Sequence, residues 1–581
     1  MPAILVPRSL KRAYARLGRE GSPSSFPERA LAALEILLRI GGTGLTGIPA
    51  TGPLVVVANH PFGAADGLAL LAMLERVRAD VRVVGNAWLA NVPELADRCV
   101  RVDPDGRRQF VGTNARAIRD TFRWLRGGGC VLIFPAGEVA HRLAAPDVAV
   151  DTEWRRTPVV LAERSSAAIL PVFVRGANSR WFRLAGRIHP VVRTMLLALE
   201  LARMRGACLD LTVGEAIPHS ELARIDGAGS RLSYVRTRTF LLAADDPGRP
   251  PISAPAAPVL AKIAPAGPSE AIAADVAALR PERLLLQNGE LKVFCAPATE
   301  LPAALHEIGR LREIAFRAAG EGSGLARDLD RFDLYYRHLF VWDAGAERIV
   351  AAYRVGATDE ILARSGAGGL YTRTLFQYDE RLFDRLGPAL ELGRAFVRTE
   401  CQRDFSPLFL LWKGIGRLVA REPRYRCLFG TVSISNRYES LSRALLVRFL
   451  RATRYRDDLA ALVTPTRPPR PCRRDAILDG AVVASLDAVS RLVELIERDG
   501  KSVPVLLRQY LKLNARVLGF NIDPAFGDVL DGLLLVDFAD VEPAILARYM
   551  GREDAERFLL TLKRDVACAF TDPPPRSNRA A

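Results

Sequence analysis

The run Leu54-Val55-Val56-Val57-Ala58-Asn59-His60-Pro61-Phe62-Gly63-Ala64-Ala65-Asp66-Gly67 leaves the backbone few choices. Its β-favouring apolar residues read as a short buried strand. Pro61 and Gly63 turn the chain, and Leu68-Ala69-Leu70-Leu71-Ala72-Met73-Leu74 then reads as a helix. His60 therefore ends a strand, and Asp66 stands near the start of a helix. On a regular helix this separation would put the two side chains on roughly opposite faces, so only the turn can bring them together. A carboxylate that holds one ring nitrogen leaves the other to take a proton from a nucleophile. The same juxtaposition also fits a purely structural His–Asp pair.

Two later stretches bear on that choice: Val131-Leu132-Ile133-Phe134-Pro135-Ala136-Gly137-Glu138 and Ala168-Ile169-Leu170-Pro171-Val172-Phe173-Val174. In this order the three stretches resemble the motifs of the glycerolipid acyltransferases. The five residues between His60 and Asp66 match a branch named for hemolysins. The resemblance implies that His60 and Asp66 act on an acceptor hydroxyl and that Phe134, Pro135, Gly137 and Glu138 help bind the acceptor. One departure is informative. Where the family commonly has Phe-Pro-Glu-Gly-Thr-Arg, this chain has Phe134-Pro135-Ala136-Gly137-Glu138-Val139, so the carboxylate has moved and the arginine is gone. A phosphate wants a fixed guanidinium fork. The departure favours an acceptor without phosphate, unless Arg101, Arg107 or Arg142 substitutes.

The chain has 581 residues and a formal charge of +16, so several domains fit and an acidic partner is expected. Neither a zinc finger nor an RNA-binding aromatic motif is present, which weakens a nucleic-acid reading. An anionic membrane surface together with an acidic acyl carrier protein accounts for the charge more economically. The eight cysteines are scattered, which argues against a disulfide framework and a metal site and for a reducing cytoplasm. Met1 to Arg19 is too broken by Pro7 and arginines for a signal peptide, and no apolar run reaches spanning length. The expected location is peripheral, on the cytoplasmic face of a bacterial inner membrane.

Residues 1–50 read as a basic leader followed by a helix from Glu28 to Ile40. Over 50–175, strands at 54–58, 81–85, 130–134 and 168–174 alternate with helices at 67–77, 112–126 and 153–164, an α/β sandwich pattern. Ser179-Arg180-Trp181-Phe182-Arg183 and Thr194-Met195-Leu196-Leu197-Ala198-Leu199 mix apolar residues with neighbouring arginines. They fit either an interfacial membrane contact or core helices with charged ends. A helix around Ser230–Leu242 closes the first domain, and proline-rich sequence over 246–280 reads as a linker.

In the second half, Leu291–Cys295, Leu339–Trp342, Ile349–Arg354, Leu390–Val397 and Leu428–Ile434 read as strands, with helices at 301–318 and from Pro407 to Glu422. The layout resembles the acyl-homoserine-lactone synthases of the GNAT superfamily through Arg312 with Phe316, Asp330 with Asp333, Arg354, and Glu391 with Arg394. It is still more similar to the ornithine-lipid N-acyltransferases, through Gly320-Glu321-Gly322, Leu411-Trp412-Lys413-Gly414-Ile415 and Val432-Ser433-Ile434-Ser435-Asn436 with Tyr438. An amine attacks a thioester only when neutral, so a carboxylate must accept its proton. Glu391 is the candidate base, or else merely the partner of Arg394. Asp330 and Asp333 are candidates to hold the cationic side chain of a basic amino acid, and Arg354 or Arg394 to hold its carboxylate. Arg312 either anchors structure or meets the carrier. Glu321 and Phe316 belong to the same binding set, and Tyr438 is a candidate acid for the leaving thiolate. Backbone N–H groups beside splayed central strands would steady the oxyanion.

The combined expectation is an α/β chain. A glycerolipid-acyltransferase-like sandwich (1–245) and a linker (246–280) precede a GNAT-like mixed α/β domain (281–570) and a disordered tail (571–581). The resemblances imply a bifunctional synthase of an amino-acid lipid, most simply ornithine lipid. The second domain would N-acylate the amino acid with a 3-hydroxyacyl group, and the first would then acylate its hydroxyl. The donor would be acyl carrier protein or acyl-CoA, with neither cofactor nor metal. The rival expectations are a lysophospholipid acyltransferase with an accessory second domain, and a membrane-lytic protein. The lytic protein would need the charge and the amphipathic segments but not His60.

Overall fold

The computed structural model describes residues 7–17, 25–85, 92–101, 111–145, 148–188, 190–244, 260–404, 406–470, 478, 485–497 and 499–571. Two compact units emerge, one of residues 1–252 with 471–498, the other of 253–470 with 499–581. Residues 471–498, counted with the second domain in the sequence reading, group with the first unit. There the helix Leu486–Ile496 packs on the helix Ala228–Leu241 and buries Val489, Leu492 and Val493.

In the main sheet of the first unit the strands are β1 (Leu37–Gly42), β2 (Leu54–Ala58), β3 (Val81–Gly85), β4 (Cys99–Arg101), β5 (Cys130–Ile133), β6 (Ala168–Arg175) and β7 (Cys208–Val213). They form one sheet in the order β1-β7-β6-β2-β5-β3-β4. Only the β6–β7 pairing is antiparallel. The centre of the sheet is β2, flanked by β6 and β5 and buried along its whole length. Covered on both faces, such a strand has to be continuously apolar. The sequence-based strands and helices of 50–175 appear with ends shifted by a few residues. The helix expected from Glu28 to Ile40 does not. It stops at Ala33, Glu35 takes φ +58°, and Leu37–Gly42 instead pairs parallel with β7. Local periodicity could not see that partner, which lies far along the chain.

The second unit carries β8 (Leu284–Asn288), β9 (Leu291–Pro297), β10 (Arg337–Asp343), β11 (Arg348–Ala357), β12 (Ala389–Val397), β13 (Cys427–Ile434), β14 (Arg516–Asp523) and β15 (Val529–Asp537). Their order is β8-β9-β10-β11-β12-β13-β15-β14. All pairings are antiparallel except β12–β13, which runs parallel and pairs only Ala389–Glu391 with Cys427–Phe429. The ladder then opens. A bulge lies opposite β11 between Ala352 and Arg354, with Arg394 at φ +52°, and it bends β12 aside. At the point of divergence only glycine fits at 430, because a Cβ there would lie 2.0 Å from the Leu392 carbonyl oxygen. Both units are thus mixed α/β, as expected. Within the expected linker, Ser269–Ala277 is a helix whose Ile272 and Val276 are buried with the helix Pro302–Ala319. Residues 245–259 of that linker and 572–581 of the expected tail lie outside the described residues.

Candidate functional site

In the first unit the turn after β2 does what the spacing required. Asp66 lies in the first turn of the helix Ala64–Glu75, where a negative charge is favoured by the helix dipole. Its Oδ2 accepts from the backbone N–H groups of Phe62 and Gly63 at 2.8 and 3.0 Å, and from His60 Nδ1 at 2.9 Å. With Nδ1 donating, Nε2 carries the lone pair. Gly63 has φ +80°, and a Cβ there would press on Leu197 at 3.0 Å. The Phe134 ring stacks on the imidazole at 3.9 Å between centroids. Asp66 is fully buried, while the His60 side chain keeps 17% of its exposure. The proton acceptor is therefore reachable, and the group that orients it is not.

Two positioning residues, Asn59 and Asp151, have no counterpart in the sequence reading. Asn59 exchanges two side-chain hydrogen bonds with the Val174 backbone, at 2.8 and 2.7 Å, which ties the end of β2 to β6. Asp151 accepts from the His60 backbone N–H at 3.0 Å and from Trp154 Nε1 at 2.8 Å. Burial pushes its carboxyl up to about 6 despite those bonds. No spacing rule links residue 151 to residue 60, so nothing local signals it. Pro135 accepts the Arg155 N–H through its carbonyl, and Gly137 closes a turn onto Phe134 with φ +72°. Glu138 is half-buried in the same loop. Of the substitute arginines, Arg142 is exposed on the strand Arg142–Ala145, while Arg107 and the Arg101 side chain lie outside the described residues. Helices Arg180–Ile188 and Pro190–Arg203 leave Trp181, Leu184 and Leu199 exposed. The side chains of Thr194 and Met195 lie outside the described residues.

In the second unit most of the expected site residues meet, but mainly with one another. Arg312 reaches Asp333 at 2.8 Å and Asp328 at 3.6 Å. Arg354 reaches Asp330 at 2.6 Å and Asp333 at 3.2 Å. Arg394 reaches Asp328 at 3.4 Å and Asp330 at 3.7 Å. Three arginines and three aspartates thus alternate around a closed ring. Burial opposes ionisation of Asp333, yet Arg312 and Arg354 overcome it and hold the carboxyl down at about 2. His338, whose Nε2 lies 2.9 Å from the Asp333 carbonyl oxygen, is pushed down to about 4 by burial and stays neutral.

This corrects two expectations. Asp330 and Asp333 are engaged by the protein's own arginines rather than standing open to a cationic side chain. Glu391 does not pair with Arg394. Its carboxylate accepts from the Tyr336 hydroxyl, from Tyr371 N–H at 3.2 Å and from Thr372 N–H at 2.6 Å. The two residues part because the left-handed turn at Arg394 swings the guanidinium between the rings of Tyr371 and Phe526, 4.8 and 4.7 Å from their centroids. Arg354 and Arg312 are almost wholly buried. Phe316 packs edge-on against Phe526 at 5.1 Å. The Tyr438 hydroxyl donates to the Ser502 carbonyl at 2.7 Å. Glu321 accepts from Ser433 Oγ at 2.8 Å, and burial raises its proton affinity.

Among the described residues no three His, Cys, Asp or Glu side chains are grouped to hold a metal ion, and no helix is long and apolar enough to cross a membrane.

Comparison with known proteins agrees with this division. Residues 35–247 match the Acyltransferase family, and residues 311–413 match the Acetyltransferase (GNAT) domain. A glycine N(alpha)-acyltransferase of Bacteroides thetaiotaomicron is 32% identical over 262 residues, covering 42% of this chain and 77% of that protein. One from Phocaeicola vulgatus is 30% identical, with 42% and 79% covered. A lyso-glycine lipid O-acyltransferase of Phocaeicola vulgatus is 27% identical over 204 residues, covering 33% of this chain and 68% of that protein. With a GNAT domain in its second half and an acyltransferase domain around His60 and Asp66, this chain is an acyltransferase that belongs to the family of its glycine N(alpha)-acyltransferase relatives.

Proposed function

We infer that this chain performs both acylations of an amino-acid lipid. The second unit would join a 3-hydroxyacyl group from a carrier thioester to the amino group of the acceptor. The first unit would then esterify the new hydroxyl with a second acyl chain. The observation that carries this reading is the union in one chain of two matches that other bacteria keep in separate proteins. By their names, one of those relatives N-acylates glycine and the other O-acylates the lyso-lipid.

At His60 the chemistry follows from the geometry. Nε2 takes the proton of the acceptor hydroxyl, Asp66 steadies the imidazolium through Nδ1, and the alkoxide attacks the thioester; the adduct breaks its C–S bond, and the leaving thiolate takes the proton back from Nε2 to depart as the thiol. The absent family arginine supports an acceptor without phosphate. Exposed Trp181, Leu184 and Leu199, with the net charge of +16, support peripheral contact with an anionic membrane surface. The charge equally suits acyl carrier protein as donor, with acyl-CoA as the other thioester the chemistry admits. For the acceptor, the sequence resemblance points to ornithine. The relatives' names and the engagement of Asp330 and Asp333 by arginines favour glycine.

The test is lipid mass spectrometry after expression in a host that makes no aminolipids. Wild type should yield a diacylated amino-acid lipid whose head group identifies the acceptor. His60→Ala should stop at the monoacyl product. A His60→Ala chain that still makes the diacyl lipid, in a host with no other competent O-acyltransferase, overturns the order proposed.

A further inference from the structure

Within the second unit lies a second group of acids that forms no ion pair with the ring of arginines. Asp531 is on β15, directly opposite Ser433 of β13 and Asn521 of β14. Residues paired across antiparallel strands face the same side of the sheet. Asp523, two residues beyond Asn521, shares that side. Glu321 is anchored there by the Ser433 hydroxyl. Asp523 accepts local backbone N–H groups, that of Ala525 at 3.0 Å and that of Phe526. Asp531 is 4% exposed, yet among the described residues no donor forms a hydrogen bond to its carboxylate. A buried carboxylate with no donor is costly to leave charged.

The charges around it sharpen the point. Asp523 and Glu321 repel the ionised form of Asp531, and Tyr371 adds no positive charge. The cation that relieves Asp531 is Arg394, already shared with Asp328 and Asp330. Arg394 acts on Glu321 and Asp523 as well, ahead of Arg437 on Glu321 and Arg467 on Asp523. Burial, followed by these two acids, raises the proton affinity of Asp531 well above that of an ordinary carboxyl. A group of acids so arranged is satisfied by a proton or by a small cation. Its location gives that cation a use. Arg394 belongs to β12 and Asp531 to the strand beyond β13, so the two stand on opposite sides of the divergence between β12 and β13.

We propose that Asp531, flanked by Glu321 and Asp523, receives the α-ammonium group of the amino-acid acceptor and takes its proton as the amide forms. This deepens the N-acylation reading given above and rests on it. The acceptor enters as an ammonium ion, the form that three carboxylates attract. Asp531 removes one proton, and the neutral amine attacks the thioester carbonyl, forming the C–N bond. The tetrahedral adduct collapses by breaking the C–S bond, its second amine proton is lost, and the carrier leaves as its thiol. Amino acid and acyl thioester become acyl-amino acid, carrier thiol and a proton released to solvent. Asp531 returns to its ionised form for the next acceptor. A carboxyl whose proton affinity is raised by burial and by neighbouring acids suits that task better than one fixed by strong donors, as Glu391 is.

The experiment uses the full-length protein, a 3-hydroxyacyl carrier-protein thioester, and glycine and ornithine in parallel, with thiol release and acyl-amino acid followed across pH. Asp531→Asn keeps shape and removes the base. It should lower kcat for amide formation ~10²–10⁴-fold on whichever amino acid wild type accepts, and erase the acid limb of the pH profile. Its melting temperature should stay at or above that of wild type, because a repelled buried charge is removed. Asp523→Asn should shift the acid limb to lower pH, a readout that a purely structural Asp531 would not give. An Asp531→Asn enzyme with near-normal kcat and an intact acid limb overturns the proposal. So does a loss confined to KM for ornithine, which would make the cluster a side-chain subsite. If wild type itself acylates neither amino acid, the N-acylation reading has failed before any substitution is made, and the role of Asp531 falls with it.

Discussion

His60 keeps about a sixth of its exposure and leans on one buried carboxylate, whereas in the second unit six side chains close a ring of alternating arginine and aspartate. From the sequence the first group reads as catalytic, and five members of the second (Arg312, Asp330, Asp333, Arg354 and Arg394) read as substrate-binding. A partly exposed imidazole with one free nitrogen can exchange a proton with substrate. A buried guanidinium paired with two carboxylates is shut away from solvent even where, as at Arg354 Nε and Nη2, it makes no hydrogen bond, and its removal leaves charges stranded. The difference between the two groups is exposure: charges paired away from solvent hold the fold, whereas a partly exposed ring nitrogen can meet a substrate.

That contrast can be broken most directly at His60. His60→Ala should cut ester formation ~10²–10⁴-fold while thermal melting barely moves. A collapsed melt in place of a lost rate would mean that the first site is as structural as the ring. Arg354→Met tests the opposite pole. Removing one partner from a buried ion-pair network costs about 3–5 kcal/mol, to be read from chemical denaturation. An unchanged midpoint would show that the ring is dispensable. Acid titration probes the same ring. Because Asp333 is held at about 2 against an ordinary 3.8, its contribution is fully present above that ordinary value. It should be lost as pH falls toward 2, and Arg354→Met should flatten that part of the stability curve.

Glu391→Gln should cost about 1–3 kcal/mol, since an amide group would stand among the Tyr336 hydroxyl and the N–H groups of Tyr371 and Thr372. Amide formation down ~10²–10⁴-fold at unchanged stability would instead restore Glu391 to the role of base. The smallest effect is expected at the surface. Trp181→Ser should weaken binding to anionic vesicles, and raised salt should weaken wild-type binding, by about 1 kcal/mol for each basic side chain screened from the lipid charge. Binding indifferent to both would remove the membrane-facing reading of helices Arg180–Ile188 and Pro190–Arg203.

The legible parts of the sequence were those whose cause is local. Leu54–Ala58 had to be a strand, and the turn at Pro61 and Gly63 had to carry His60 back over Asp66. In the second half the alternation of strands and helices was readable in the same way, down to the break before Leu428. Position 151 was not readable, because Asp151 reaches His60 only through the folded return of a later loop. Nor was Asp531, whose meaning depends on Glu321 and Asp523 arriving from other elements.

By itself, then, the chain determined the elements between 50 and 175, the mixed α/β class of both halves and the His60–Asp66 pair, since strand, turn and helix preferences act over a few residues. Tertiary structure alone decided which charges are spent. It sent Leu37–Gly42 to pair with Cys208–Val213 in place of a longer helix. It closed Asp328, Asp330 and Asp333 onto Arg312, Arg354 and Arg394, and it left Asp531 buried without a donor. The physical reason is that proton affinity and ion pairing are set by burial and by neighbours in space, and those neighbours come from distant parts of the chain.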